Sequence, residues 1–170
     1  LNSVGKNDPI YRSSPRVEGM SIFEISSSLP LVKKNNFNKE ILTPKISFRM
    51  NPGNNMKNHT SKNQIITANN AFDINRLGIS NSFESGKSVT MGFDYKLDFE
   101  NKNNSEEKYL EFKLASVFRD KVENKIPLTS TINNKNSNLF GSINNKLSKN
   151  LNLVYDFSIN NNYNTFDSHS

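Results

Sequence analysis

The chain has 170 residues, a net charge of +6, 34% hydrophobic residues, no cysteine and no tryptophan. That length suits one domain, the missing cysteines exclude a disulfide scaffold and thiolate metal sites, and no apolar run approaches the ~20 residues of a membrane helix. Its 30 asparagines and 22 serines favour disorder, yet Leu, Ile, Val and Phe still number 45 of 170, above the roughly 20% below which disorder is the default.

What decides the matter is where those apolar residues stand. The chain begins at Leu1 with no secretory apolar region and reads as a piece of a longer protein. In residues 20–29, Phe23, Ile25 and Leu29 fall on one side, a weak period-2 signal. Residues 30–40 read as a loop opened by proline. In 41–50, Leu42, Ile46, Phe48 and Met50 alternate with Thr43, Lys45, Ser47 and Arg49. Pro44 interrupts this run and removes a ladder donor. A long connection, 51–87, follows.

The clearest strand is 88–99. Val89, Met91, Phe93, Tyr95, Leu97 and Phe99 all fall on one face, with Thr90, Gly92, Asp94, Lys96 and Asp98 between them. Helical spacing would scatter these side chains around an axis. After a charged, Asn-rich loop at 100–108, residues 109–119 set Leu110, Phe112, Leu114 and Phe118 against Glu111, Lys113, Ala115, Val117 and Arg119. A second long connection spans 120–138. In 139–147, Leu139, Ile143 and Leu147 oppose Ser142, Asn144 and Lys146. Ser148-Lys149-Asn150 reads as a tight hairpin. In 151–160, Leu151, Leu153, Tyr155, Phe157 and Ile159 oppose Asn152, Asp156 and Ser158. Residues 160–170 are polar and receive no element.

Six strands and no helix are therefore expected, with connections in the order short, long, short, long, short. In an antiparallel meander alternate connections share an end, so the short ones gather at one end and the long ones at the other. Outer-membrane barrels have this asymmetry. Ten residues at ~3.3 Å each, tilted ~40°, cover about 25 Å, the height of a barrel's lipid-facing band. A soluble β-sandwich also alternates, but its strands are usually nearer 5–6 residues and its apolar face needs a second sheet. The expected fold is thus all-β: an antiparallel up-and-down transmembrane β-barrel segment, a partial barrel domain over 1–170. Six strands are fewer than the ~8 of the smallest closed barrels, so the segment is open. The rivals are a fragment of a porin-like channel barrel and a soluble secreted β-rich binding protein.

Chemistry is sparse. His59 and His169 sit in polar, Asn- and Ser-rich surroundings and read as solvated loop residues. Asp94, Asp98 and Glu100 stand at even spacings and point the same way, but Lys96 lies among them. A polar lumen wall carrying both signs accounts for them better than an acid/base or metal site. Gly86-Lys87-Ser88 lacks the preceding glycine and following helix of a phosphate loop. Asn58-His59-Thr60 and Asn103-Asn104-Ser105 fit the glycosylation sequon, as chance allows in this composition. Basic residues come singly or in pairs such as Lys33-Lys34, not in the clustered stripe of a nucleic-acid binder. No catalytic, cofactor-binding or metal residue is expected, and no nucleic-acid partner.

Residues Asn70-Ala71-Phe72-Asp73-Ile74-Asn75-Arg76-Leu77-Gly78, followed by Phe83-Glu84-Ser85-Gly86-Lys87-Ser88-Val89-Thr90-Met91-Gly92, resemble the barrel domain of the LPS-assembly outer-membrane protein family, LptD. Phe72, Asn75, Arg76, Gly78 and Gly92 fit that pattern; Leu77, Asn81-Ser82 and Met91 depart from it. Val117-Phe118-Arg119-Asp120-Lys121 resembles the family's aromatic-Arg-Asp-Arg step at a strand end, and residues 41–52 resemble its strand-plus-proline segment. The resemblance runs in order from about Ser21 to Ile159. It implies a middle section of a barrel of about 26 strands, located in the cell outer membrane and preceded by a periplasmic domain. It also implies a function: taking lipopolysaccharide (LPS) from periplasmic bridge proteins and inserting it into the outer leaflet. The implied partners are LPS, outer-membrane lipid, the bridge proteins and a plug lipoprotein inside the barrel. The gate between first and last strands is expected outside this segment. Arg76 has a physical reason to sit in the long connection if it is buried against Asp73 or Glu84; otherwise it is an exposed loop arginine.

Overall fold

The computed structural model describes residues 21–53, 58–79, 83–99, 108–162 and 164–170. They form one antiparallel sheet of eight strands: β1 (Phe23–Ser28), β2 (Leu31–Lys34), β3 (Asn38–Asn51), β4 (Gly86–Phe99), β5 (Lys108–Arg119), β6 (Leu139–Ser148), β7 (Leu151–Ile159) and β8 (Phe166–His169). The order is β1-β3-β4-β5-β6-β7-β8, with β2 also paired to β3. From β3 to β8 chain neighbours are sheet neighbours, as an up-and-down meander requires. Among the described residues the one helical turn is a 3-10 turn at Leu128–Ser130.

The strand count exceeds the six expected. β2 falls within residues 30–40, expected as a loop, and β8 falls in the polar stretch that receives no element from the sequence. Both are four residues long, too short to display a period, and β8 contains a single large apolar residue, Phe166. β3 and β4 also begin earlier than their alternating cores, because backbone pairing needs no apolar side chain. The hairpin between β6 and β7 turns on Lys149-Asn150, with a register shift between Lys146 and Ser148.

β1 and β2 pair with the same edge of β3, β1 opposite Lys45–Met50 and β2 opposite Lys39–Leu42. They are two halves of one edge strand, interrupted at Leu29-Pro30. The interruption faces Pro44: the Leu29 N–H donates to the Pro44 carbonyl at 3.1 Å. Pro44 has no N–H to return, so a hydrogen-bonded pair that normally exchanges two bonds makes one. Pro44→Val should supply the missing donor and raise stability by about 0.5–1.5 kcal/mol, read as a higher denaturant midpoint of the intact, detergent-folded protein. An unchanged midpoint would show that the absent donor costs nothing at this seam.

The register stacks the side chains into two faces. One carries Leu42, Tyr95, Phe112, Ile143 and Tyr155 as a single row across five strands. The other carries Lys45, Gly92, Ala115, Phe140 and Ser158 as the matching row. The apolar face is open: Ile25 is 76% exposed, Leu153 54% and Met91 50%. The covered face is the polar one. Ile66, Ala68, Ala71, Leu77 and Ile79 from the β3–β4 connection, with Ile126 and Ile132 from the β5–β6 connection, pack on Ala115, Val117 and Phe140 to make the buried core. A soluble sandwich buries its apolar sheet face; this sheet does the reverse.

Candidate functional site

The long connections fold back over the polar face at one end of the sheet, and an ionic cluster joins them to it. Its foundation is a register row. Glu24 pairs with Arg49, Arg49 with Ser88, and Ser88 with Arg119, across β1, β3, β4 and β5. Arg49 and Arg119 thus point to one side, separated by one intervening strand or about 10 Å. Two like charges that close, under an apolar cover, require a carboxylate between them.

Glu84 provides it from the connection just before β4. Arg76, in the same connection, donates from Nε to Glu84 Oε2 at 2.8 Å and from Nη2 to Oε1 at 2.5 Å, the bidentate fork that arginine makes with carboxylates. Arg119 Nη1 donates to Glu84 Oε1 from the other side, and Arg49 Nη1 lies 3.6 Å from Oε2. Side chains of Arg76, Glu84, Arg49 and Arg119 are all at most 4% exposed. Of the two partners open to Arg76 on the sequence, Glu84 is the one it takes. The backbone carbonyl of Asp73 instead accepts from Arg49 Nη2.

Further donors of the cluster tie it to the strands and to the residue before β4. Arg76 Nη1 donates to Thr90 Oγ1 at 2.9 Å and Nη2 to Ser88 Oγ at 3.0 Å, so the loop arginine also grips β4. Arg49 donates to Glu24 Oε2 from Nη2 at 2.8 Å, and Arg119 Nη2 donates to the Ser85 carbonyl. Gly86 makes the entry to β4 at φ +84, a backbone conformation that favours glycine, and an added Cβ there would lie 3.3 Å from Arg119 Nη2. Burial raises the pKa of the Glu84 carboxyl, but the charges and hydrogen bonds of Arg76, with Arg119 and Arg49, outweigh it and hold the group below the ordinary carboxylate range. An ionised carboxylate sealed from solvent by three arginines has no role as a proton carrier. Its arrangement makes it a latch between connection and sheet.

The second connection ties in beside it. Ser85 Oγ donates to Glu123, His59 N–H donates to the Lys125 carbonyl at 2.9 Å, and Gln64 N–H donates to Thr129 Oγ1 at 3.1 Å. The two covers are therefore one cap. Beyond it the polar face is half-exposed and carries both signs: Lys45 pairs with Asp94, Lys96 with Asp98 at 2.8 Å, and Lys113 with Glu111 at 3.4 Å. Lys96 also stands over the Tyr109 ring at 4.9 Å.

Asp94 and Asp98 share a face, as expected, and each has a lysine partner. Glu100 and the Asn103-Asn104-Ser105 sequon lie outside the described residues. Gly86-Lys87-Ser88 starts a strand, not a helix. His59 is in the cap, and His169 is an exposed residue of β8. Among the described residues no three His, Cys, Asp or Glu are grouped to hold a metal. Sequence reasoning places Arg49 and Arg119 on the polar face but does not join them to Arg76. The available signal is that both stand at the strand ends from which the long connections leave.

Compared with known proteins, the chain matches the family model described as LptD, LPS transport system D, over residues 8–170. No curated protein and no solved structure gave a match.

Proposed function

Because this chain belongs to the LPS transport system D family, a transport and assembly family, we propose that it forms wall and outer closure of the outer-membrane barrel that carries lipopolysaccharide to the cell surface. The observation that carries this reading is the inverted sheet: its open face is mainly Leu, Ile, Phe and Tyr, and its opposite face is mainly Ser, Thr, Lys, Asp and Arg, with Ala115, Val117 and Phe140 beneath the cap. Exposed contiguous apolar surface of this extent fits lipid, and alternation of lipid-facing with lumen-facing residues is how barrel strands are built.

In this placement the short turns, such as Lys149-Asn150, face the periplasm, and the cap closes the outer end of the lumen. LPS needs such a path because its sugars and phosphates cannot cross hydrocarbon without large desolvation cost. The polar wall hydrogen-bonds the head group while acyl chains remain in apolar surroundings. A plug lipoprotein inside the barrel and periplasmic bridge proteins are the partners this role requires.

Depletion of the intact protein should make newly synthesised LPS disappear from the cell surface and accumulate before the outer membrane. Normal surface LPS, with a fall only in small-solute uptake, would favour a porin-like channel instead.

A further inference from the structure

The carboxylates of the polar face are not all paired. Asp94, Asp98 and Glu111 each have a lysine; Asp156, on β7, has no ion pair among the described residues. Its Oδ1 is sealed from solvent and accepts no hydrogen bond, a costly state for an anion. The lysines of the neighbouring rows are engaged elsewhere. Lys113, two strands away in the same register row, donates to Asn69 Oδ1 at 3.0 Å and pairs with Glu111. Lys146 stands over the Tyr109 ring at 5.9 Å.

Other oxygens gather beside Asp156. Ser142 lies directly opposite it on β6; it is 4% exposed, and its hydroxyl has no hydrogen bond among the described residues. Asn144, two residues on, points to the same face and is the diagonal neighbour of Asp156. Its amide donates from Nδ2 to the Tyr109 hydroxyl at 3.4 Å, while its Oδ1 is buried and unbonded. Just past β8, Ser170 exchanges both backbone hydrogen bonds with Asp156, at 2.9 and 3.1 Å, so it belongs to the same face. A carboxylate, an amide carbonyl and hydroxyls from adjacent strands thus stand together, with the carboxylate and carbonyl oxygens lacking a donor.

We propose that this group binds a divalent cation of the calcium class. Calcium takes oxygen ligands (carboxylate, carbonyl, hydroxyl and water) at about 2.3–2.6 Å in an adaptable shell. The set has no nitrogen or sulfur donor of the kind zinc and copper prefer; His169 pairs with Phe157 and so faces the apolar side. With a single carboxylate the affinity falls in the weak range, about 10⁻⁴–10⁻³ M. The ion ties β6, β7 and the residue after β8 across the polar face, as Glu84 ties the strands on the other side of the sheet. Hydroxyl and amide ligands have no sequence signature, so the register alone reveals the set. The inference goes beyond the transport reading and does not depend on it.

The test is terbium luminescence on the intact protein in detergent, with calcium as competitor. Terbium occupies calcium sites and emits when a nearby aromatic ring absorbs; the chain has no tryptophan, and Tyr109 contacts Asn144. Saturable emission that millimolar calcium removes is expected, and calorimetry with calcium alone gives the affinity. Asp156→Asn removes the one charge and should weaken calcium binding about tenfold or more. Asp167→Asn, at a β8 carboxylate already held by Asn138, should leave it unchanged. Heat-modifiable gel migration checks that each variant has folded, and Asn144→Leu, which removes a ligand without altering charge, serves if Asp156→Asn does not assemble. No saturable calcium binding, unchanged binding by folded Asp156→Asn or Asn144→Leu, or loss of binding in Asp167→Asn overturns the proposal.

Discussion

Glu84→Gln should destabilise the cap more than any other single substitution of a polar residue. The change keeps the shape of the side chain but removes the charge that three buried arginines share, and breaking a buried pair by one partner costs roughly 3–5 kcal/mol. The cluster of Arg49, Arg76, Arg119, Glu84 and Glu24 carries a net +1 as it stands; after Glu84→Gln it carries +2, with no internal anion near Arg76 or Arg119. The expected result is selective protease cleavage within residues 58–79, with the strands still protected. The pH dependence has a defined sign. The folded carboxyl lies below its ordinary value, so its stabilisation is present above the unfolded pKa and is lost as pH falls through the folded one. Cap protection should therefore hold at neutral pH and disappear on acidification below the ordinary carboxylate range. Glu84→Gln should be protease-sensitive at both pH values. A cap equally protected in Glu84→Gln and the parent would show that apolar packing alone holds it.

Phe93→Arg should cost roughly 2–4 kcal/mol of barrel stability, the penalty of a cation at the middle of a lipid-facing band. Phe93 lies opposite Pro44 on one side and Leu114 on the other, and its ring packs against Phe112 at 5.9 Å between centroids. Its sequence neighbour provides the contrast. Asp94 points to the opposite face and pairs with Lys45, both about one-quarter to one-third exposed. Asp94→Asn should cost about 0–1 kcal/mol, as for other exposed pairs. The measurement is the urea midpoint of the intact protein folded into lipid vesicles. Equal losses at the two positions would mean that the two faces do not meet different solvents.

Period 2 makes the two faces legible without a structure. A strand turns successive side chains to opposite sides by its own backbone geometry, so Val89, Met91, Phe93 and their partners declare a face whatever lies around them. The meander follows from the same local information, because antiparallel neighbours need only a turn between alternating runs. Short edge elements escape this logic: the four residues of β2 and β8 carry too few side chains to show a period, and their assignment comes from the strand they pair with.

What covers the polar face was not legible, for a physical reason. The apolar residues of the cap, Ile66, Ala71, Leu77, Ile126 and Ile132, follow no period, and their burial depends on meeting Val117 and Phe140 from strands far along the chain. Proximity in sequence narrows the partner of Arg76 to two carboxylates, yet the choice of Glu84 rests on Arg49 and Arg119, which the register brings within reach from 35 residues away on either side. Local geometry thus determined which residues share the apolar face and which the polar one; only the tertiary structure decided that one end of the polar face is sealed, because that depends on charges and apolar side chains that become neighbours after the sheet has formed.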